Sequence, residues 1–174
     1  MNEAHPGIAR GLLLAWLGTA FAVVVADRLT KDAIEAAFQA GESRPVTSFF
    51  NLVLAYNRGA AFSFLAEGTG WQRYAFMAIA IVAAVFILWL LVRHAQERLF
   101  SSALALILGG ALGNLWDRAT LGHVVDFLDF HAAGVHFPAF NVADSAITVG
   151  AALLILEGDR KSTRLNSSHV KRSR

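Results

Sequence analysis

Residues 74–92 read YAFMAIAIVAAVFILWLLV and contain no charged residue. A transmembrane helix needs about 20 mostly apolar residues, within a range of about 17–25. A helix on the surface of a soluble bundle would carry polar residues at a spacing of 3.6, and this stretch has no such stripe. The segment therefore predicts a helix that crosses a membrane.

The composition of the 174 residues agrees with a membrane protein. Hydrophobic residues make up 56% and charged residues 16%, whereas soluble domains carry about 25% charged residues. The net charge is only +2, and the basic residues form no stripe with interleaved aromatic residues, which argues against a nucleic-acid partner. The absence of cysteine excludes disulfides, thiolate catalysis and cysteine-based metal sites.

Four apolar segments organise the chain into one membrane-embedded domain over residues 1–161. They predict a mainly α membrane protein with four transmembrane helices, at about residues 11–27, 72–92, 99–117 and 138–157. Only the last of them tolerates a charge within its apolar run, at Asp144. Residues 162–174 are polar and serine-rich, resemble a translated cloning scar, and are interpreted as a non-native or disordered tail.

The connections differ in character. Residues 43–66 hold aromatic and β-branched residues with a glycine and predict a small extracytoplasmic β-cradle. We expect a short interfacial helix over residues 29–38, a tight polar turn over 93–98 and a loop of medium length over 117–136. No internal repeat is visible.

Four crossings would bring most of the unusual polar residues to one face of the membrane. The opposite face would carry both termini and the 93–98 turn. It holds slightly more Lys and Arg near helix ends, a weak indication that the termini are cytoplasmic. The residues on the first face are Asp27, Lys31, Asn57, Arg58, Asn114, Arg118, Asp126, Asn141 and Asp144.

Asp126 and Asp144 are the candidate catalytic residues. A charged Asp in the middle of a membrane costs roughly 2.5–3.5 kcal/mol, so such residues are functional candidates by default. Two carboxyl groups that approach each other share a proton, and the pair could activate water as general acid and base. The alternative is that Asp144 only caps the last helix or interacts with its dipole, and sequence pattern alone leaves both open.

Six further polar residues could support the site, and each also has a purely structural interpretation. Asn141, three residues before Asp144, could donate to a carboxylate or cap the helix. Asn114 and Arg118 share a helical face, and Arg118 could pair with an acid or anchor at the interface. Asp27 and Lys31 are also four residues apart, a spacing that favours a surface ion pair. Asn57 could lie at a strand edge that accepts an extended peptide, or in a hairpin turn.

Four other interpretations compete with an aspartate pair. His123, His131 and His136 lie near Asp126 and Asp129, but their spacing matches no helical metal motif. Lys31 could serve a serine among Ser43, Ser48 and Ser63, although no activating geometry can be argued. Carboxylates within a membrane could also relay protons in a small transporter, or belong to a scaffold without catalysis.

Five blocks of the sequence match a known family in order. They are DRLTK at residues 27–31, NRGAAF at 57–62, GALGNLWDR at 110–118, VVDF at 124–127 and FNVADSAI at 140–147. The chain resembles the bacterial lipoprotein signal peptidases, also called signal peptidase II. The last two blocks and their spacing are highly specific, and the five together span most of residues 10–160.

The resemblance implies an aspartic endopeptidase of the bacterial inner membrane. Its substrate would be a prolipoprotein that carries diacylglycerol on a cysteine, cut just before that cysteine, and its other contacts would be membrane lipids. Asp126 rather than Asp129 would pair with Asp144, and no metal or other cofactor is implied. The termini would be cytoplasmic and the site periplasmic. Residues implied to support the site or the substrate are Asp27, Lys31, Asn57, Asn114, Arg118 and Asn141.

Overall fold

The computed structural model describes residues 6–59 and 71–172. Four helices account for most of this part of the chain: α1 (Pro6–Ala37), α2 (Trp71–His94), α3 (Arg98–Thr120) and α4 (Val142–Arg172). Four short strands accompany them: β1 (Ser43–Pro45), β2 (Phe50–Asn57), β3 (Val124–Ala132) and β4 (Val135–His136). The predicted mainly helical fold with a small sheet is confirmed.

Among the described residues, three helices are long and apolar enough to cross a membrane: Ala9–Ala37, Arg73–His94 and Arg98–Thr120. Helix α2 leaves many large aliphatic side chains exposed, Ile79, Val82 and Val85 among them. On a soluble protein such a surface would be an interaction or aggregation site, whereas in a bilayer it contacts lipid. Helix α4 is not among the three, and it continues past residue 157, where we expected it to end.

Helix α3 is the centre of the bundle, and its glycines explain why. A Cβ at Gly109 would lie 2.6 Å from the carbonyl oxygen of Ala20 in α1, and one at Gly110 would lie 2.7 Å from Cγ1 of Ile147 in α4. A side chain at either position would push a neighbouring helix away. The small residues of this stretch therefore allow α1 and α4 to approach α3 closely.

The expected separate interfacial helix over residues 29–38 is wrong, because α1 runs without interruption to Ala37. No glycine or proline lies between Ala26 and Ala37 to end the helix. The Lys31 ammonium also lies 2.7 Å from Asp27, one turn earlier on the same helix. The polar residues that marked a boundary in the sequence are thus internal contacts of one long helix.

The expected loop over residues 117–136 is also wrong. Helix α3 extends to Thr120, and β3 then forms the second central strand of an antiparallel sheet with the order β1-β2-β3-β4. Val124, Val125, Asp126 and Phe127 are all buried, so both faces of the strand are covered and the alternation that identifies a strand is missing. Of the predicted β region, residues 43–45 and 50–57 are strands, and 60–66 lie outside the described residues.

The sheet lies against one end of the helices and directs Asp126 towards them. Strand β2 pairs with β3 so that Ala55 lies opposite Asp126 and Asn57 opposite Val124, after an irregularity between Leu52 and Ala55. Ile34 of α1 packs with Leu54, Val125 and Phe127 in a small core below the sheet. A separate core between α1, α2 and α3 includes Leu91 and Leu108.

Candidate active site

The junction between β3 and α4 brings Asp126 and Asp144 to the same region. The backbone N–H groups of Phe127 and Leu128 donate to the carbonyl oxygen of Phe140, at 3.0 and 2.9 Å, and the N–H of Phe140 donates to Leu128 at 3.1 Å. Phe140 lies two residues before the start of α4, so these bonds fix the helix N-terminus beside the strand that carries Asp126. The sequence predicted a loop for Asp126, and the structure instead has it in a paired strand.

Asn141 has both of the roles that the sequence left open. Its Oδ1 accepts the backbone N–H of Asp144 at 2.9 Å, which is the contact of a helix N-cap. Its Nδ2 donates to Oδ1 of Asp126 at 2.8 Å and to the carbonyl oxygen of Val125 at 3.1 Å. This fully buried amide therefore connects the two aspartates.

Asn114 is the second amide of the site, and its orientation is fixed by its partners. Its Oδ1 accepts from Nζ of Lys31 at 3.1 Å and from Asn141 at 3.3 Å. Because that oxygen faces two donors, the Nδ2 faces the other way and donates to Oδ1 of Asp144 at 2.7 Å. Each aspartate thus receives a hydrogen bond from a buried asparagine.

Lys31 and Asp27 form a buried ion pair, so the surface pair that their spacing favoured is wrong. Their side chains are 0% and 1% exposed, and Lys31 Nζ lies 2.7 Å from Asp27 Oδ2. The other oxygen of Asp27 accepts the backbone N–H of Ala143 in the first turn of α4, at 2.8 Å. Asp27 therefore ties α1 to the residue next to Asp144.

Sequence reasoning missed Asp117. Its Oδ2 lies 2.8 Å from Lys31 Nζ and accepts the backbone N–H of Val125 at 3.2 Å, and its side chain is 1% exposed. The signal was present, because Asp117 is three residues after Asn114 and hence on the same helical face. Its position beside Arg118, where the sequence predicts the start of a loop, concealed it.

Arg118 and Asn57 complete the set of predicted residues. Arg118 donates to the carbonyl oxygen of Asn114 at 3.3 Å, and its guanidinium lies 5.3 Å from the ring centre of Phe76. Asn57 caps its own turn by accepting the N–H of Gly59 at 2.8 Å, and its side chain acts on Asp126 to lower the pKa of that carboxyl group. All eight predicted site residues therefore belong to one contiguous region around the two aspartates.

The two acidic residues of β3 behave differently. Burial, together with the charge of Asp144, raises the pKa of Asp126 to about 7, although hydrogen bonds from Asn57 and Asn141 oppose the shift. Burial would also raise the pKa of Asp129, but hydrogen bonds from Asn51 and His136 hold it below its ordinary value. A carboxyl group that titrates near neutral pH can exchange protons during a reaction, and Asp126 meets that requirement.

The competing assignments find little support. Nζ of Lys31 contacts Asp27, Asp117 and Asn114, and in the described part of the chain it contacts no serine. Within residues 6–59 and 71–172, no group of three or more His, Cys, Asp or Glu side chains could hold a metal ion. His136 instead bonds Asp129 at 2.9 Å and stacks on His131.

Comparison with known proteins assigns the family. A family model described as signal peptidase (SPase) II matches residues 19–158. The chain belongs to the signal peptidase II family. A lipoprotein signal peptidase of Paraburkholderia phytofirmans is 60% identical over 163 residues, which cover 92% of this chain and 95% of the relative. One of Ralstonia nicotianae is 61% identical over 149 residues, 86% of each chain.

Solved structures agree with this family. A bacterial membrane enzyme determined in meso at 2.3 Å resolution aligns with a TM-score of 0.77 and 32% identity, over 86% of this chain and 90% of that one. A second, at 1.9 Å resolution, gives a TM-score of 0.74 and 33% identity. The chain is thus a membrane protease of lipoprotein processing, and the transporter alternative has no support.

Proposed function

We propose that this signal peptidase cuts a diacylglyceryl-modified prolipoprotein just before its lipidated cysteine, with Asp126 and Asp144 as an aspartyl dyad. The observation that carries the proposal is the pair of buried amides. Asn141 donates to Asp126 at 2.8 Å and Asn114 donates to Asp144 at 2.7 Å. Two carboxyl groups from separate elements are thereby held in fixed orientations, as general acid–base catalysis requires.

The chemistry follows from one proton shared by two acids. The ionised carboxylate takes a proton from a water molecule, whose oxygen attacks the carbonyl carbon of the scissile peptide bond. The protonated carboxyl group donates to the carbonyl oxygen, which gives a tetrahedral diol. Collapse of the diol breaks the C–N bond as a proton passes to the leaving nitrogen. The raised pKa of Asp126 favours it as the residue that carries the proton at neutral pH.

We infer a membrane arrangement with four crossings. Helix α4 carries the site residue Asp144 in its first turn, and its apolar part packs along α3. The turn between α2 and α3 lies at the other end, where Ala95 accepts a hydrogen bond from Trp16 and Glu97 pairs with Lys161. The excess of Lys and Arg near that end favours cytoplasmic termini and a site at the periplasmic surface of the inner membrane.

This position suits a substrate that is anchored by lipid. The acyl chains of the substrate would stay among the exposed apolar side chains of the helices, while the peptide bond reaches the polar residues where lipid meets water. Strands β2 and β3 would form the cradle beside the dyad, with Asn57 at its edge. Excluding bulk water there would strengthen the electrostatic interactions within the site.

The test is cleavage of a lipidated precursor peptide by the purified protein, with the new N-terminus identified by mass spectrometry. Asp126→Asn and Asp144→Asn keep the size of the side chain and remove the acid. We expect each to lower kcat by at least about 10³-fold while the protein remains folded. Asp129→Asn is the matched control and should retain near-normal activity.

Two results would overturn the proposal. Near-normal activity in folded Asp126→Asn or Asp144→Asn would remove that residue from the dyad, and a loss in Asp129→Asn would point to the neighbouring acid. Cleavage at another bond, with both aspartates essential, would preserve the dyad and refute the proposed substrate preference.

A further inference from the structure

We propose that Asp117 is a positioning residue of this protease, one that sets the geometry and the charge balance of both catalytic aspartates without contacting substrate. The inference rests on the proposed dyad. Asp117 lies in the last turns of α3, on the helical face that also carries Asn114, and is almost completely buried. Its carboxylate is connected to Asp126 through one intermediary, Val125, and to Asp144 through two, Lys31 and Asn114.

The connection to Asp126 runs through the backbone. Oδ2 of Asp117 accepts the N–H of Val125 at 3.2 Å, and Val125 is the residue directly before Asp126. The carbonyl oxygen of Val125 accepts from Asn141, which also donates to Asp126. The peptide group that carries Asp126 is therefore held from one side by Asp117 and from the other by Asn141.

The connection to Asp144 runs through Lys31 and Asn114. The Lys31 ammonium is shared by Asp117 at 2.8 Å, Asp27 at 2.7 Å and Asn114 at 3.1 Å. Asn114 turns its Nδ2 to Asp144 because its oxygen faces Lys31. Without Asp117, the ammonium loses one of its two anionic partners and the position that orients Asn114 is no longer fixed.

An anion is required at this position for electrostatic reasons. Besides Lys31, the guanidinium of Arg28 approaches Oδ1 of Asp117 at 3.1 Å. Two cations beside the dyad would favour the ionised form of Asp126, and Asp117 with Asp27 offsets them. The charged groups around Asp117 and the dyad lie on three helices, while β2 carries no charged residue. They are Asp27, Arg28 and Lys31 on α1, Asp117 and Arg118 on α3, and Asp144 on α4. Asp129 of β3 instead contacts Asn51 and His136.

The experiment compares Asp117→Asn with Asp32→Asn. Both changes replace a carboxylate by an amide, and both remove a partner of Arg28, but Asp32 is exposed on α1. In Asp117→Asn we expect kcat to fall about 10- to 100-fold with KM changed by less than about twofold, because the dyad is misplaced. Asp32→Asn should match the wild type.

The pH profile separates positioning from a purely structural role. Removal of the negative charge leaves Lys31 and Arg28 less neutralised, so Asp126 loses its proton at lower pH. The kcat profile of Asp117→Asn should shift to lower pH by on the order of half a unit to one unit. A merely less stable protein would lose folded enzyme and keep the wild-type profile.

Three results would overturn the inference: a wild-type kcat and profile in folded Asp117→Asn, equal losses in Asp117→Asn and Asp32→Asn, or a loss of activity explained by the folded fraction alone. If Asp117→Asn does not fold, Asp117→Glu keeps the anion and changes its reach. A lower kcat with an unshifted profile would then support the inference, and a wild-type kcat would refute it. Retained activity in Asp126→Asn or Asp144→Asn would instead refute the dyad itself.

Discussion

The two ends of the helical bundle carry ion pairs of almost the same length in opposite surroundings. At the site end, Lys31 lies 2.7 Å from Asp27 and 2.8 Å from Asp117, and all three side chains are at most 1% exposed. At the other end, Lys161 lies 2.6 Å from Glu97, with side chains 55% and 39% exposed. Distance alone would rank these pairs as equal.

The difference teaches that burial, not contact length, decides what a charge pair does. Exposed pairs are screened by water and salt and contribute little. Buried charges cost several kcal/mol to desolvate, and they persist only where partners and hydrogen bonds offset that cost. At the site end Lys31, Asp27 and Asp117 each have at least two such partners, which holds the catalytic groups in one arrangement.

The largest expected effect tests this contrast directly with Lys31→Met and Lys161→Met. The first leaves Asp27 and Asp117 buried without their shared cation, so we expect it to destabilise the fold by about 3–5 kcal/mol and to abolish cleavage. The second removes an exposed cation and should change neither property. Unfolding in detergent micelles and the cleavage assay measure both. Similar losses of stability and activity in the two variants would show that burial does not distinguish the two ion pairs.

A second prediction concerns Asp126, a buried acid of β3 whose pKa is raised. Asp126 titrates at about 7 in the folded protein, above its ordinary value of 3.8. Its ionisation therefore opposes folding increasingly as the pH rises above about 4, and fully above 7. Asp126→Asn should raise stability at pH 8 by about 2–4 kcal/mol and change it little at pH 4.

Thermal unfolding at the two pH values measures this difference, and Asp129→Asn is the matched control. The pKa of Asp129 lies below its ordinary value, so its charge stabilises the fold at neutral pH and that contribution is lost on acidification. Asp129→Asn should therefore lower stability at pH 8. A stabilising effect of equal size in both variants would contradict the assigned difference between the two acids.

A third prediction compares glycines of the two ends. A methyl group at Gly110 would clash with the backbone carbonyl of Ala143 and lie 2.7 Å from Ile147, whereas one at Gly158 meets no atom within 4 Å. Gly110→Ala should destabilise by about 1–3 kcal/mol through overpacking and lower activity, because Ala143 adjoins Asp144. Gly158→Ala should stabilise α4 by about 0.5–1 kcal/mol. Stability and cleavage of both variants check this.

The sequence predicted those features that depend on local pattern. The apolar runs of α1, α2 and α3 located these helices. It missed β3 because Val124 and Val125 are buried on opposite faces, so the strand shows no alternation. It missed the role of Asp117 because Lys31 is 86 positions away, and a contact at that separation leaves no periodic trace.

The same reasoning explains why Asn141 remained undecided. An asparagine three residues before an aspartate fits an N-cap and a catalytic donor equally well. The structure assigns one function to each end of the amide, since Oδ1 caps α4 and Nδ2 reaches Asp126. The helix cap and the hydrogen bond to Asp126 are therefore not alternatives, because the Asn141 side chain makes both contacts at once.

The smallest expected effect is the loss of stability in Glu97→Gln, which removes the acid of the exposed ion pair. Hydrogen bonds from Lys161 and His94 lower the pKa of Glu97 below its ordinary value of 4.5. The negative charge of Glu97 therefore stabilises the folded protein above pH 4.5. This stabilisation is lost as the pH falls through the pKa that Glu97 has in the folded protein. Because the pair is exposed, 1 M salt should remove most of the difference between variant and wild type. Thermal unfolding at low and high salt measures it. A salt-resistant loss as large as that of Lys31→Met would mean that exposure does not separate the two ends.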